Sequence, residues 1–458
     1  MTTTALVVFT RDLRVHDNPT LRGAVDAADR VVALFVIDER IADSGFGCPN
    51  RAAFLADCLH DLDAGLRRLG SFLVMRRGDP IDQIAQLADR LDASSIHVSL
   101  DWSAYAQRRS ERLRARLTAD GRALVEYAET IPLVPPGSVH PQDKDHYSVF
   151  TPFHRRWSQA VVRTPLDAPE RISSRRVDRG SVPTVMELGG GNPAPELPAG
   201  GETAGRARLD AWMRDAVHQY ADHGDDLSAD ATSHLSAYLH FGCVSPVEVA
   251  ARAGDSAGGA ALVRQLAWRD FHLQVLAARP DASRRDYRGR GDRWRRGGED
   301  FVAWSEGRTG IPIVDAGMRQ LVREGWMHNR TRMIVASFLT KHLYVDWREG
   351  AAYFLNHLVD GDIAQNQLNW QWVAGTGTDT RPNRVLNPIR QAERFDPHGT
   401  YVRRYVDELA SIGGRRVHRP WDLSPEERAE LDYPYPVVNL DDARRAFHTA
   451  RGETPDAP

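Results

Sequence analysis

The sequence predicts an α/β N-terminal domain built on a Rossmann-like parallel sheet, followed by an all-α C-terminal domain. Three observations carry this. Short apolar runs alternate with helical patterns over residues 1–130, a Pro-, Gly- and Ser-rich stretch occupies 131–205, and helical spacing dominates 206–458.

The strand-like runs are Ala5–Phe9, Val31–Ile37, Phe72–Met75 and Ile96–Leu100. Helical patterns separate them, as at Ala52–Leu69, where Leu55, Leu59, Leu62 and Leu66 recur at helical spacing. Such alternation implies parallel strands covered on both faces, with a ligand crevice at their carboxyl ends. The connector contains PPG at 135–137 and GGGNPAPELPAGG at 189–201, and it reads as having little regular structure. Beyond it, Val314, Met318, Leu321 and Val322 repeat at helical spacing and stop at Gly325, a C-cap residue. In the next helix, Val335 with Leu339 and Ile334 with Phe338 form i,i+4 pairs.

Composition excludes several classes. The chain has 458 residues, 42% hydrophobic and 26% charged, and a net charge of −3. No apolar run approaches the roughly 20 residues that span a bilayer. The N-terminus MTTTALVVFTRD has no basic segment before its apolar run, so it does not read as a signal peptide. Cys48, Cys58 and Cys243 form no CxxC pair, which argues against a zinc site or a disulfide framework and for a reducing cytoplasm. The two lysines, Lys144 and Lys341, lie outside any P-loop context. No GxGxxG follows the first strand, so a nicotinamide dehydrogenase is disfavoured. From Arg264 to Arg296, ten Arg stand against four Asp. This reads either as a solvated surface or as a phosphate-tracking strip.

Five segments bear on chemistry. In DGDIAQNQLNWQW (360–372), Asp362, Asn366 and Trp370 fall at i, i+4 and i+8. A carboxylate, an amide and an indole in one row suit a flat heteroaromatic ring with polar edges. The alternative is a loop followed by core-filling indoles; Trp372 points elsewhere in either case. Tyr220 is followed by Thr232, Ser233, His234, Leu235 and Ser236, whose hydroxyls open a helix and suit a phosphate or a plain N-cap. Gln265, Trp268, Arg269 and His272 share a polar helix face with one indole in it. In WMHNRTRM (326–333), Asn329, Arg332 and Met333 share a face. DWREG (346–350) places Trp347 in a helix's first turn.

Taken together, these segments resemble the photolyase/cryptochrome flavoproteins in order and spacing. FTRDLRVHDNPTL (9–21) and VFTPFHRRW (149–157) are also similar, so the resemblance covers nearly the whole chain. It is nearest to the class I cyclobutane pyrimidine dimer photolyases. The resemblance implies an antenna domain at 1–130, a linker at 131–205, and a helical FAD-binding and lesion-binding domain at 206–458. It implies that Tyr220 and Thr232–Ser236 hold the FAD phosphates and ribityl chain. Arg269, Asn329, Arg332, Asp360 and Asp362 would line its rings, with Arg332 and Asp360 as an ion pair. Asn366 would stand beside flavin N5 and accept the N5–H of a reduced flavin. Trp370, Trp347 and Trp294 match the family's electron-carrying tryptophans. Trp268 and Trp372 match the pair that lines the lesion pocket, with Gln265, Asn329, Arg330 and Met333 also at the lesion.

The chain departs from the family in places. Gln265 stands where many dimer photolyases carry Glu, as is common in (6-4) photolyases, whereas Asn329 and Met333 follow the dimer pattern. The loop GTDTRPNRVLNP (377–388) is one residue short. Asp101 resembles a residue that contacts 8-hydroxy-5-deazaflavin, which is favoured as antenna over methenyltetrahydrofolate. The expectation is a monomeric, non-membrane enzyme that acts on UV-damaged DNA. In it, light-excited reduced FAD donates an electron that splits a pyrimidine dimer. The rivals are a (6-4) photolyase and a cryptochrome-type photoreceptor.

Overall fold

The computed structural model describes residues 2–44 and 46–453. Five parallel strands form one sheet: β1 (Thr4–Phe9), β2 (Arg30–Ile37), β3 (Leu73–Arg77), β4 (Ser95–Ser99) and β5 (Ala123–Tyr127). Their order is β3-β2-β1-β4-β5. Every residue of β1 is buried, as expected for a central parallel strand covered on both faces. The order reverses between β1 and β4, which opens a crevice beyond their carboxyl ends.

The sequence reading does not foresee β5. ALVEY lies at the sheet edge and is only partly buried, so it lacks a continuous apolar run. It still packs closely: a Cβ at Gly23 would sit 1.9 Å from the Tyr127 hydroxyl.

The connector also needs correction. It contains a helix, Phe150–Trp157, which buries Phe150, Phe153 and Trp157 at i, i+3 and i+7. Three apolar residues in eight were masked by their basic neighbours. The rest is extended but anchored. Val31 N–H donates to Ser173 O (2.8 Å) and Met75 N–H to Arg179 O (2.7 Å). The next helix begins at Glu202, ahead of the expected residue 206.

Helices dominate the second half. The 22-residue helix Ala257–Ala278 carries Asp270, a fully buried carboxylate. It accepts from Leu133 N (3.1 Å), Val134 N (2.8 Å) and Trp157 Nε1 (3.0 Å), which pins the connector to the helical half. Helix Pro312–Glu324 ends at Gly325 with φ +64°, as the spacing predicts. Val322, read as part of its apolar face, is 49% exposed. Helix Asn329–Ser337 passes into a π turn at Phe338–His342, so the expected pairs Val335/Leu339 and Ile334/Phe338 straddle a change of helix type. Trp304 and Trp347 are fully buried, and each satisfies its indole N–H, at Val335 O (3.1 Å) and Asp286 Oδ1 (2.9 Å) respectively. Among the described residues, no helix is long and apolar enough to cross a membrane, and no cluster of metal-ligating side chains occurs.

Candidate functional site at the junction of the two halves

The switch point of the sheet supplies the first piece. Just past β1, the Arg11 guanidinium pairs with Asp101, just past β4, at 3.3 Å. It also pairs with Asp362 of the helical half and donates to His240 O at 3.1 Å. One cation thus ties the predicted antenna residue to a predicted flavin residue. Burial acts to lower the Arg11 pKa, but Asp362 and Asp101 more than reverse it. Burial likewise acts to raise Asp362, yet Arg11 and His240 hold its carboxyl well below the usual range. The Asp362 charge is therefore locked in place.

Asp362 does not lie inside the helix. It is the N-cap of Ile363–Ala374, accepting from Gln365 N–H at 2.9 Å. The expected three-residue row is thus a cap followed by two helical positions. Both Asp362 oxygens are engaged, one by Arg11 of the sheet domain and one by the first turn of its own helix. Asn366 and Trp370 are buried on that helix. The Asn366 amide donates to Ala351 O at 3.0 Å, which orients its Oδ1 as an acceptor. Trp370 packs on Gly350, where a Cβ would lie 2.3 Å from its ring.

The phosphate loop lies before a helix rather than opening one. Helix Ser236–Phe241 starts at the last residue of Thr232–Ser236, and its N-cap, Leu235, makes no side-chain cap. His234 has φ +53°, a left-handed conformation, and its ring lies 4.1 Å from that of Trp326. Trp326 Nε1 donates to Ser236 Oγ at 3.1 Å. The Arg332 guanidinium stands 6.0 Å over Trp326 and pairs with Asp360 at 2.8 Å. The expected Arg332–Asp360 ion pair is therefore present, and Trp326 connects it to the loop. Tyr220, edge-on to Trp212 at 5.4 Å, begins a short helix upstream, and burial pushes its hydroxyl up to about 12.

Two enclosed oxygens in this region, Thr232 Oγ1 and Asp360 Oδ1, have no hydrogen-bond partner among the described residues. Unsatisfied buried acceptors are costly unless a ligand meets them. A polar-edged cofactor with hydroxyl and N–H groups would meet both, so the donor and acceptor set fits a flavin nucleotide.

The polar face of helix Ala257–Ala278 is less solvated than expected. Gln265 is exposed, but His272 is buried and bonded to Gln365 Oε1 at 3.0 Å. Burial drops its pKa to about 4, so the ring is neutral. Arg269 donates to Ile131 O at 2.8 Å and Leu239 O at 3.3 Å, so it braces the junction. Trp268 is half-buried and stacks face to face on Phe150 at 3.6 Å.

The remaining lesion candidates are spread around helix Asn329–Ser337. Asn329 is exposed and Met333 half-buried. Arg330 pairs with Asp225 and lies 4.4 Å over the Phe395 ring. Trp372 is half-buried under the Arg384 guanidinium at 5.1 Å, turned away from Asn366 and Trp370.

All three expected electron carriers belong to or pack on one apolar cluster. The nearest ring neighbours of Trp370 are Phe354 (5.0 Å) and Trp304 (6.1 Å), an indole the sequence reading passes over. Trp347 lies under Arg348, 4.7 Å away. Trp294 meets Tyr344 at 5.0 Å, with Arg451 at 5.9 Å.

A cavity of about 1060 Å³ occupies the carboxyl edge of the sheet and reaches the helical half at Ile363, Ala364 and Gln367. Asp101 lines it, whereas none of the residues assigned to FAD does. The sheet crevice and the flavin residues are separate places joined through Arg11 and Asp362.

Residues 5–170 match the family model described as DNA photolyase, and residues 262–452 match the FAD binding domain of DNA photolyase. The deoxyribodipyrimidine photo-lyase of Streptomyces griseus is 53% identical over 98% of this chain and 99% of its own. The chain belongs to the photolyase/cryptochrome family. Solved relatives agree in fold. A bacterial class III photolyase from Agrobacterium tumefaciens superposes with TM-score 0.91 at 30% identity, covering 99% of this chain and 98% of its own. The archaeal photolyase of Sulfolobus tokodaii, described with two FAD molecules, gives 0.86 at 31%, covering 98% of this chain and all of its own. The parallel-sheet domain and the helical FAD-binding domain are those of photolyases and cryptochromes.

Of the residues that matter at this junction, sequence reasoning missed Arg11, Trp304, Trp326, His240 and Asp270. Trp326 and Asp270 sit inside segments already singled out. Arg11 had a signal too: it lies two residues past the first strand, where a switch-point crevice belongs.

Proposed function

We propose that this protein is a light-driven DNA repair enzyme that splits cyclobutane pyrimidine dimers in UV-damaged DNA. The observation that carries the reading is the group formed by Thr232, Trp326, Arg332, Asp360 and Asn366. It combines an ion pair, two unpaired enclosed oxygens and an oriented amide acceptor within one helical domain. FAD held there would supply light-driven one-electron chemistry for opening the cyclobutane ring.

The chain's own residues have positioning and electrostatic work to do. Asp360 and Thr232 would accept N–H and O–H groups of the cofactor, and Arg332 balances the Asp360 charge. Asn366, held by Ala351 O, would offer its carbonyl oxygen as an acceptor to the cofactor's ring edge. Trp370, closed in by Gly350 and Phe354, stands beside it as the first oxidisable ring, with Trp347 and Trp294 as the outward steps. On the DNA side, Trp268 and Trp372 offer indole faces to an extruded lesion. Extrusion costs a few kcal/mol, least for a damaged step. Stacking worth roughly 1–3 kcal/mol per base offsets it. Gln265, exposed at the same helix, provides a neutral hydrogen bond. The protein acts as a monomer, with Asp101 at the antenna crevice.

The test uses protein carrying reduced FAD and DNA bearing either defined dimers or defined (6-4) lesions, under blue light and in darkness. Light-dependent loss of dimers is expected. Loss of (6-4) lesions alone would reassign the substrate, and loss of neither would reassign the protein to photoreception.

A further inference from the structure

Indoles of the helical core differ in what their N–H groups meet. Trp347, fully buried, donates to Asp286 Oδ1 at 2.9 Å. Trp294 is half-buried, yet its Nε1 is enclosed and has no partner among the described residues. Trp304 donates to a backbone carbonyl, Val335 O, at 3.1 Å. Of these three, Trp347 alone has a carboxylate on its ring nitrogen.

That carboxylate is fixed in place. The buried amide of Gln371, one residue past Trp370, donates to Ala282 O at 2.6 Å and to Arg285 O at 3.2 Å. It also accepts from Tyr287 N–H at 2.7 Å. These bonds bracket Asp286 on both sides and tie it to the helix that carries Trp370. Asp286 Oδ1 further accepts from Arg348 Nη2 at 2.8 Å. Arg348 in turn lies 4.7 Å over the Trp347 ring and pairs with Asp346 at 3.0 Å. Two carboxylates against one guanidinium leave this group of side chains with one net negative charge.

Trp347 and Gly350 lie one turn apart on helix Trp347–His357, and the Trp370 ring packs on Gly350. An electron that leaves Trp347 for an electron-deficient Trp370 leaves a positive charge on the Trp347 ring. The ring is enclosed in an apolar cluster, where an unpaired charge is costly. A carboxylate on the ring nitrogen offsets that cost, whereas a guanidinium over the ring face adds to it. The hydrogen bond from Nε1 to Asp286 also strengthens once its donor is charged.

We propose that Asp286 is a positioning residue that stabilises the oxidised Trp347 ring and so draws the electron vacancy outward from Trp370, with Arg348 as the opposing charge. This rests on the electron-carrier reading of Trp370, Trp347 and Trp294, and adds the charge that gives the path its direction. In the step, one electron passes from the Trp347 indole to Trp370, which has given one to a light-excited flavin. No bond between heavy atoms forms or breaks, and the Nε1 proton stays in its hydrogen bond to Asp286.

The experiment uses FAD-bound W294F protein with its flavin oxidised, in which the vacancy stops at Trp347. After a laser flash, transient absorption follows the indole radical. Its lifetime reports how far uphill the vacancy must climb to return through Trp370. D286N keeps an acceptor for the Trp347 N–H and removes the charge. It should shorten the lifetime by about tenfold, the scale of one charge lost roughly 4 Å away in a partly screened site. R348Q removes the opposing charge and should lengthen the lifetime. FAD content and Tm should stay near those of the W294F parent in both. A merely structural role would shift both variants the same way, and that result would overturn the proposal. W347F in the otherwise unaltered chain tests the underlying path by itself: flavin photoreduction by an external thiol should be blocked. If it is blocked while D286N and R348Q match their parent, the path stands and the role of Asp286 is overturned. If W347F photoreduces at the parental rate, the path falls and the proposal with it.

Discussion

The carboxyl edge of the sheet and the core of the helical half treat buried charge in opposite ways. At the sheet edge, Arg11 and its carboxylates keep and share their charge, although burial raises the neighbouring Asp12 and lowers Arg14. Arg11 serves Asp101 and Asp362 together, and Arg14 spends its guanidinium on the carbonyls of Asp17, Thr130 and Gly242. In the helical core, titratable groups are driven toward neutrality. Burial lowers His272, His328 and His342 to about 4 and Lys341 to about 7, and raises Asp270 and Asp315 to about 6. The difference follows from what surrounds each. The sheet edge is an open crevice with carboxylates and guanidinium groups within reach. The helical core is packed with aromatic rings that solvate no charge. The charge-sharing edge joins the two halves, whereas the aromatic core keeps charge out of its packing.

The strongest test of this contrast removes the shared cation. R11M leaves Asp362 and Asp101 buried without their partner. Breaking such a pair costs about 3–5 kcal/mol. Unfolding by urea should show that loss, and flavin content after purification should fall with it. A variant with parental stability and full flavin would dissolve the distinction. Next is G350A, which forces a methyl group into the Trp370 ring. Overpacking of this kind costs about 1–3 kcal/mol. It should lower Tm and disturb flavin photoreduction, whereas an alanine at Gly289, where nothing lies within 4 Å of the added Cβ, should not.

Smaller effects separate the two indoles of the Ile363–Ala374 helix. W370F should slow photoreduction while leaving lesion affinity within about twofold, because the ring is enclosed. W372F should leave photoreduction intact and weaken lesion binding by about 1 kcal/mol, part of one stacking contact. Interchanged phenotypes would place the lesion on the other side of the helix.

Mild acid should erode the helical half. His272, His328 and His342 have folded pKa values near 4, below their ordinary 6.5, so the unfolded chain binds more protons between those values. Stability therefore rises with pH through that window and is lost as pH falls from 6.5 toward 4. Asp270 and Asp315, raised from 3.8 to about 6, hold protons in the folded state and offset part of the loss. A Tm falling by a few degrees from pH 7 to 5 would match this balance. A Tm that instead rose would show the carboxyls outweighing the imidazoles.

Much of this was legible from residue order. Apolar runs at 5–9, 31–37, 72–75 and 96–100 mark four of the five strands, because a strand covered on both faces must be apolar throughout. Gly325 announces the end of its helix through the backbone conformation it permits. Asn366 and Trp370 had to share a helix face, and Trp372 had to leave it. The ion pair of Arg332 with Asp360 was foreseen only through the family resemblance, since 28 residues of chain separate the partners.

Tertiary structure decided the rest. Asp362 reads as a helical residue until Arg11, 351 positions away, claims one oxygen and the Gln365 N–H claims the other. Asp270 reads as a solvated charge until the connector brings three donors to it. Trp304 becomes a neighbour of Trp370 only when their helices pack. The physical reason is common to all three. Periodicity in a sequence states which side chains turn inward. It does not state which distant residue each one meets, and in a buried polar group that partner sets the charge and the available chemistry.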